Sequence, residues 1–129
     1  MRDYVTNMTD SKCIDSSVWI DYLINEKNKE TIEEVQGNIT SVFSLIEVYT
    51  KLIKLKVPEL EVKKKVNSIK TYSQIQEVTI EIAEKARAQV AKGVLHTADA
   101  IIYATAEHAQ KQLITLDNDF RGLPNVQVI

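Results

Sequence analysis

Apolar residues form two kinds of segment along this chain: short runs, and longer stretches in which they recur every three or four residues. The short runs predict buried strands, at residues 12–15, 39–40, 75–78, 113–115 and 126–128. The longer stretches predict amphipathic or buried helices, at residues 18–24, 29–36, 45–55, 59–72, 80–92 and 96–111. Strands that alternate with helices are typical of a parallel sheet covered by helices on both faces.

The helix predicted over residues 96–111 is apolar on nearly every side, so it belongs in the interior of the domain. Asp99 stands near its beginning. A carboxylate entering a buried helix is costly to desolvate unless it is paired or bound to a cation. A negative charge near a helix N-terminus is also stabilising by itself. Both explanations stay open for Asp99 at this point.

The length of 129 residues allows one domain with a sizeable core. We expect a single α/β domain over residues 12–129, preceded by a disordered polar leader over residues 1–11. Cys13 is the sole cysteine, so no internal disulfide can form, and a small chain without crosslinks favours the reducing cytoplasm. The chain has no run of 18 apolar residues, and we therefore expect no membrane-spanning segment.

The net charge of −2 argues against a protein that binds nucleic acid by bulk electrostatics. Any contact with nucleic acid must be local, or bridged by cations. One local candidate is a group of lysines in the middle of the chain: Lys51, Lys54, Lys56, Lys63, Lys64, Lys65 and Lys70. These lysines either steer RNA or simply keep two helix faces solvated.

Acidic residues follow the predicted strands or open the next helices: Asp15, Glu47, Asp99, Asp117 and Asp119. In open parallel sheets, ligands bind beyond the carboxyl ends of the strands. Taken singly, Asp15 fits a helix N-cap and Glu47 a capping box with Ser44, although Ser41 is an alternative cap for the same helix. Those explanations do not account for four segments that bring acids to one edge. A cluster of carboxylates needs positive charge to balance it, and Mg²⁺, which prefers oxygen ligands, supplies that charge. Two such ions suit an in-line displacement at a phosphate.

Four segments resemble, in order and spacing, the motifs of a PIN domain. They are CIDSSVWIDYL (13–23), SVFSLIEVYTKL (41–52), HTADAIIYATA (96–106) and ITLDNDF (114–120). Each motif is weak alone, but four in the same order are specific. The resemblance covers residues 12–129, and the overall size looks most like the VapC-type toxins of prokaryotic toxin–antitoxin pairs.

The resemblance implies a three-layer α/β/α fold with a central parallel sheet of about four to five strands. It implies an Mg²⁺- or Mn²⁺-dependent endoribonuclease that hydrolyses RNA phosphodiester bonds, a homodimer, and an antitoxin that covers the site. The positions that match the acidic, metal-binding quartet are Asp15, Glu47, Asp99 and Asp117. By the same match, Asp119 is a further acid that assists catalysis, Thr115 a hydroxyl residue beside the quartet, and Ser16 a small polar residue after the first acid.

Other functions remain open at this point. A housekeeping RNA-processing PIN nuclease would carry the same residues, and a catalytically idle PIN-like binding module would not need them all. A phosphoacceptor receiver domain would have an acidic pair after the first strand and a lysine after the last, which this chain lacks. His96, one helical turn before Asp99, is either a phosphate contact or a helix-start residue without chemistry.

Overall fold

Strands and helices alternate through the part of the chain that the computed structural model describes, residues 10–129. Its strands are β1 (Lys12–Ile14), β2 (Ile39–Ser41), β3 (Gln74–Gln76), β4 (Gln112–Thr115) and β5 (Val126–Val128). Its α-helices are α1 (Ser16–Asn25), α2 (Lys29–Glu33), α3 (Val42–Lys54), α4 (Glu59–Tyr72), α5 (Ile80–Ala91) and α6 (Thr97–His108). A 3₁₀ turn, Asn118–Phe120, precedes β5. Residues 1–9, which hold most of the predicted leader, lie outside the described residues.

The five strands form one sheet in the order β3-β2-β1-β4-β5, and all neighbouring pairs are parallel. The predicted α/β fold with a central parallel sheet is confirmed. The order also excludes the receiver alternative, because flavodoxin-like sheets have the order 2-1-3-4-5. Successive strands are added outward in one direction from β1 to β3, and β4 and β5 are then added on the other side of β1, so the strand order reverses between β1 and β4. Such a reversal opens a crevice at the carboxyl ends of the strands, where ligands bind.

The two central strands are buried on both faces because their side chains alternate between two cores. Cys13 and Leu113 belong to the core that α5 and α6 cover. Ile14 and Ile114 belong to the opposite core, which α1, α3 and α4 cover. This double burial explains why the strands have continuous apolar runs and not an alternating pattern.

Helix α6 lies in the interior, as its apolar composition predicts, with Ala100 and residues 102–106 buried. It packs most extensively against α5. Within residues 10–129, no helix is both long and apolar enough to cross a membrane.

Two predicted elements have different bounds in the structure. Helix α2 ends at Glu33, three residues before the predicted end. The buried side-chain amide of Asn38 donates to the carbonyl oxygens of Thr31 (2.9 Å) and Val35 (3.5 Å), so the segment after α2 bends back towards the sheet. Strand β3 covers residues 74–76 and not 75–78, because its partner β2 ends at Ser41, opposite Gln76.

The beginnings of two helices are also defined more closely. Asp15, predicted as the last residue of the first strand, occupies the N-cap position of α1. His96 occupies the N-cap position of α6, which begins at Thr97 and ends at His108, earlier than the predicted residue 111. Both acids that lie at these helix starts, Asp15 and Asp99, therefore sit at the carboxyl edge of the sheet.

Candidate active site

The predicted site acids all lie around the crevice at the carboxyl edge. Asp15 follows β1, and Asp117 follows β4, on either side of the point where the strand order reverses. Glu47 lies in the second turn of α3, and Asp99 in the first turn of α6. Asp119 is in the 3₁₀ turn. The parallel sheet thus brings acids from separate segments to one place.

Three of these acids lie close together, and the charges of the other two act on Asp99. Carboxylate oxygens of Asp99, Asp117 and Asp119 lie within 4.8 Å of one another. The pKa of Asp99 is raised to about 6, first by burial and then by the negative charges of Asp117, Asp15, Glu47 and Asp119, in that order. Burial also raises the pKa of Glu47, as do the charges of Asp15 and Asp117. The negative charges of the other four acids therefore act on Asp99, and those of Asp15 and Asp117 act on Glu47.

Two hydroxyl groups hold Asp15. Ser17 Oγ and Thr115 Oγ1 each donate to the same oxygen, Asp15 Oδ2, at 2.7 Å. The two hydroxyls in turn accept the backbone N–H groups of Leu116 and Asp117, each at 2.9 Å. This hydroxyl clamp ties the end of β1 to the turn after β4. Asp15 Oδ1 accepts no hydrogen bond from residues 10–129, so it is the oxygen that remains for a ligand.

No basic side chain neutralises the acids in the described part of the chain. The surface ion pairs Lys29–Glu26 and Lys64–Glu61 involve none of these acids. Asp99 and Asp117 are half-buried and Asp119 is exposed. A group of carboxylate oxygens without a basic partner matches the ligand set that a hard divalent cation such as Mg²⁺ or Mn²⁺ prefers.

The sequence profile of the PIN domain family matches residues 12–126, most of the chain. The chain belongs to the PIN domain family. No curated protein matches it by comparison of the sequences.

Solved structures share the fold over nearly the whole length of the PIN domain. A toxin–antitoxin complex from Klebsiella pneumoniae is 26% identical, with a TM-score of 0.71, covering 92% of this chain and 97% of that one. VapBC2 from Rickettsia felis, bound to promoter DNA, is 15% identical with a TM-score of 0.72, covering 92% and 96%. VapC20 from Mycobacterium tuberculosis, a toxin that cleaves the sarcin–ricin loop, is 18% identical with a TM-score of 0.71, covering 88% and 95%.

The structure gives the serines of this PIN domain different tasks from those the sequence indicates. Ser16 was expected to act beside the first acid, Asp15. Its hydroxyl instead donates to Glu47 Oε1 at 2.8 Å and so holds the second acid, Glu47. Ser17, which is not among the predicted site residues, contacts Asp15 instead. The signal for it was local: a hydroxyl residue two positions after an Asp can reach back to that carboxylate.

The capping box proposed for Glu47 is wrong. Ser41 is the N-cap of α3, and its Oγ accepts the backbone N–H of Phe43 at 3.1 Å. Ser44 is buried inside the first turn of the helix, and its hydroxyl has no partner within the described chain. Helix α3 therefore does not use Glu47 as a cap, and the carboxylate turns to the pocket.

Asp15 occupies a capping position but makes no side-chain capping hydrogen bond with α1. Asp99 likewise accepts no hydrogen bond from residues 10–129. Helix capping thus does not account for either side chain. Their common feature is the pocket that they share with the other acids.

Proposed function

We propose that this PIN domain is a metal-dependent endoribonuclease that hydrolyses RNA phosphodiester bonds, and that it is the toxin of a toxin–antitoxin pair. The observation that carries the proposal is the acidic cluster at the carboxyl edge: carboxylate oxygens of Asp99, Asp117 and Asp119 lie within 4.8 Å of one another, and the charges of Asp15 and Glu47 act on Asp99 as well. The solved complex from Klebsiella pneumoniae, 26% identical and matched over nearly its full length, supports the assignment to a toxin.

The proposed ligands of Mg²⁺ or Mn²⁺ are the carboxylates of Asp15, Glu47, Asp99 and Asp117. When bound, the ion supplies Lewis-acid stabilisation of the phosphate and activation of the attacking water. Asp119, exposed at the rim of the same pocket, assists by its negative charge and by orienting water. Catalysis is assigned to these five acids together.

The chain's own hydrogen bonds prepare the pocket for this task. The hydroxyl clamp of Ser17 and Thr115 fixes Asp15 in one orientation, with Oδ1 directed away from the clamp's bonds. Ser16 fixes Glu47 in the same way. Substitution of side chains that hold metal ligands in position typically lowers metal affinity or activity by about 10–100-fold. We therefore assign Ser16, Ser17 and Thr115 as positioning residues.

Protein partners are also part of the proposal. Helix α3 exposes an apolar stripe, Ile46, Tyr49 and Ile53, at one side of Glu47, with exposed fractions of 53%, 37% and 64%. Exposed apolar patches of this kind mark protein contacts. We propose that the antitoxin binds to this stripe and, in doing so, covers the acidic pocket. We further propose a homodimer and a cytoplasmic location, as the family resemblance and the single buried cysteine indicate.

The test is cleavage of defined tRNA, rRNA and mRNA with Mg²⁺, with Mn²⁺ and with EDTA, followed by mapping of the cut ends. We expect discrete internal cuts that require the metal. Cleavage that persists in EDTA would contradict the metal dependence, and no cleavage of any RNA would favour the idle binding module.

The role as a toxin has a separate test. If a small reading frame adjoins the gene, co-expression with its product should restore growth and give a stoichiometric complex that does not cut RNA. A growth-neutral enzyme that binds no such product would be a housekeeping nuclease instead.

A further inference from the structure

A cavity of about 380 Å³ opens beside the acidic pocket, between the end of α5 and the beginning of α6. Its size falls in the range of small-molecule sites, roughly 300–1,000 Å³. One wall is apolar and consists of Val90, Val94 and Leu95. The other wall includes His96 and two of the site acids, Asp99 and Asp119. The cavity is therefore continuous with the proposed catalytic pocket.

The position of the cavity limits what enters it during RNA cleavage. The nucleosides on either side of the scissile phosphate are covalently attached to it, and a cavity lined by Asp99 and Asp119 is a place that one of them can occupy. Among residues 10–129, no lysine or arginine lines the cavity. Two carboxylates and no basic side chain disfavour a second phosphate there, whereas an uncharged base and ribose fit an apolar wall. Single-stranded RNA is recognised in this way, by bases turned out against apolar or aromatic side chains.

His96 is the polar group available to such a nucleoside. It is exposed at the N-cap of α6, makes no side-chain cap, and its imidazole forms no hydrogen bond with residues 10–129. A histidine ring can stack on a base and can donate a hydrogen bond to it. The helix start itself does not need this side chain, so its presence at the mouth of the cavity has no capping explanation.

We propose that this cavity binds the nucleoside next to the scissile phosphate, with its base between the ring of His96 and the apolar wall formed by Val90 and Val94. The inference rests on the proposed ribonuclease function and adds a specificity site to it. Cavities of similar size exist near the opposite edge of the sheet and between α3 and α4, but none of the five acids lines them. They lack the continuity with the scissile phosphate.

The experiment uses a 20-nucleotide single-stranded RNA that spans the mapped cut site, and two copies in which the base on one or the other side of the cut is removed. Val94→Trp fills the cavity from an exposed position, and His96→Ala removes the ring. Leu60→Trp, at a 73% exposed position on α4, and His108→Ala, at the far end of α6, are the matched controls. The rise in melting temperature on addition of Mn²⁺ is recorded for each variant, as a readout of the metal pocket that does not depend on cleavage.

We expect removal of one of the two bases to raise the KM of the wild-type protein about tenfold, as the loss of one stacked base does. Val94→Trp and His96→Ala should raise KM on the intact RNA by a similar factor and abolish the difference between intact and abasic RNA. Both variants should keep the wild-type response to Mn²⁺, and both controls should keep the wild-type KM and abasic penalty.

The inference is overturned if neither base matters to the wild-type protein, or if both cavity variants retain the full abasic penalty. It is also overturned if Val94→Trp changes only the oligomeric state or antitoxin binding, since the cavity would then be a protein contact. A wild-type protein that cuts no RNA contradicts the proposed function itself, which separates that failure from failure of the subsite.

Discussion

The two edges of the central sheet differ in how far their charged groups are paired. At the amino edge, Lys12 Nζ donates to Gln112 Oε1 at 2.9 Å, and Lys111 Nζ donates to Ser11 Oγ at 2.6 Å. The backbone N–H of Lys12 donates to Asn38 Oδ1 at 2.8 Å. At the carboxyl edge, carboxylate oxygens of Asp99, Asp117 and Asp119 lie within 4.8 Å of one another, and Asp99 accepts no hydrogen bond within residues 10–129.

This difference separates an edge that holds the fold together from the edge to which we assign the function. Buried polar groups normally have hydrogen-bond partners because an unsatisfied group is costly, and the amino edge follows that rule. The carboxyl edge keeps a repulsive charge cluster, which costs stability unless a cation is bound. We therefore expect substitutions at the amino edge to change stability, and substitutions at the carboxyl edge to change activity and metal response.

The largest effect is expected for Asp99→Asn. Loss of one charged ligand should lower RNA cleavage at least about a hundredfold, because metal stabilisation of the transition state is worth several kcal/mol. Without metal the variant should melt at the same or a higher temperature than the wild type, because one repelling charge is gone. With Mn²⁺ its melting temperature should rise much less than that of the wild type.

Glu81→Gln is the matched control for Asp99→Asn. Glu81 lies in the first turn of α5, as Asp99 does in α6, but it is exposed and outside the pocket. Its cleavage rate and Mn²⁺ response should be those of the wild type. An Asp99→Asn protein with near wild-type cleavage and the full Mn²⁺ shift would contradict the four-acid site.

The hydroxyl clamp is expected to matter next. Ser17→Ala should reduce cleavage about 10–100-fold and raise the Mn²⁺ concentration needed for half-maximal activity, because Asp15 loses one of its two fixed contacts. Thr115→Val should act in the same way, and the double variant should lose less than the product of the two single losses, since both act through Asp15 Oδ2. Ser68→Ala on α4 is the control. Strictly multiplicative losses would show that the two hydroxyls work separately.

Asn38→Ala should give the opposite pattern at the amino edge. The change removes the acceptor for Lys12 N–H and the donor to the Thr31 carbonyl, so the free energy of unfolding should fall by about 2 kcal/mol. Cleavage per folded molecule and the Mn²⁺ response should be unchanged. Urea unfolding and activity at 15 °C measure the two quantities. A stable but inactive variant would remove the distinction between the edges.

A pH series tests the charge cluster without RNA. The pKa of Asp99 is raised to about 6 in the folded protein. The folded protein therefore binds a proton at Asp99 more readily than the unfolded chain does. Its contribution to stability is present below about pH 4 and is lost as pH rises through about 6. In EDTA, the melting temperature of Asp99→Asn minus that of the wild type should therefore increase as the pH rises from 4.5 to 7.5. A constant difference would mean that Asp99 does not titrate in this window.

The smallest effect is expected from the lysines of α4. Lys63 and Lys64 are exposed, whereas Lys65 donates to the carbonyl oxygen of Leu23 and is left unchanged. Replacing Lys63 and Lys64 with Glu should weaken RNA binding a few-fold and flatten its dependence on salt. Lys85→Glu on α5 is the control. An unaltered salt dependence would identify the α4 lysines as a solvated face only.

Much of the fold could be predicted because its signals are local. The spacing of apolar residues identified each strand and helix, and α4 was predicted with the bounds that the structure shows. The early end of α2 could not be predicted, because it depends on Asn38, whose bonds join α2 to β1. The periodicity of side chains contains no information about such a contact.

The site divides in the same way. The sequence by itself determined which acids stand at strand ends and helix starts. Because the carboxyl ends of parallel strands meet at one edge of the sheet, those positions were also expected to lie near one another. Only the tertiary structure decided which hydroxyl holds which acid. Ser16 reaches Glu47 across 31 residues, and Thr115 reaches Asp15 across 100. Those pairings depend on the packing of α1 against α3 and of β1 against β4, where side chains distant in sequence come within hydrogen-bond range.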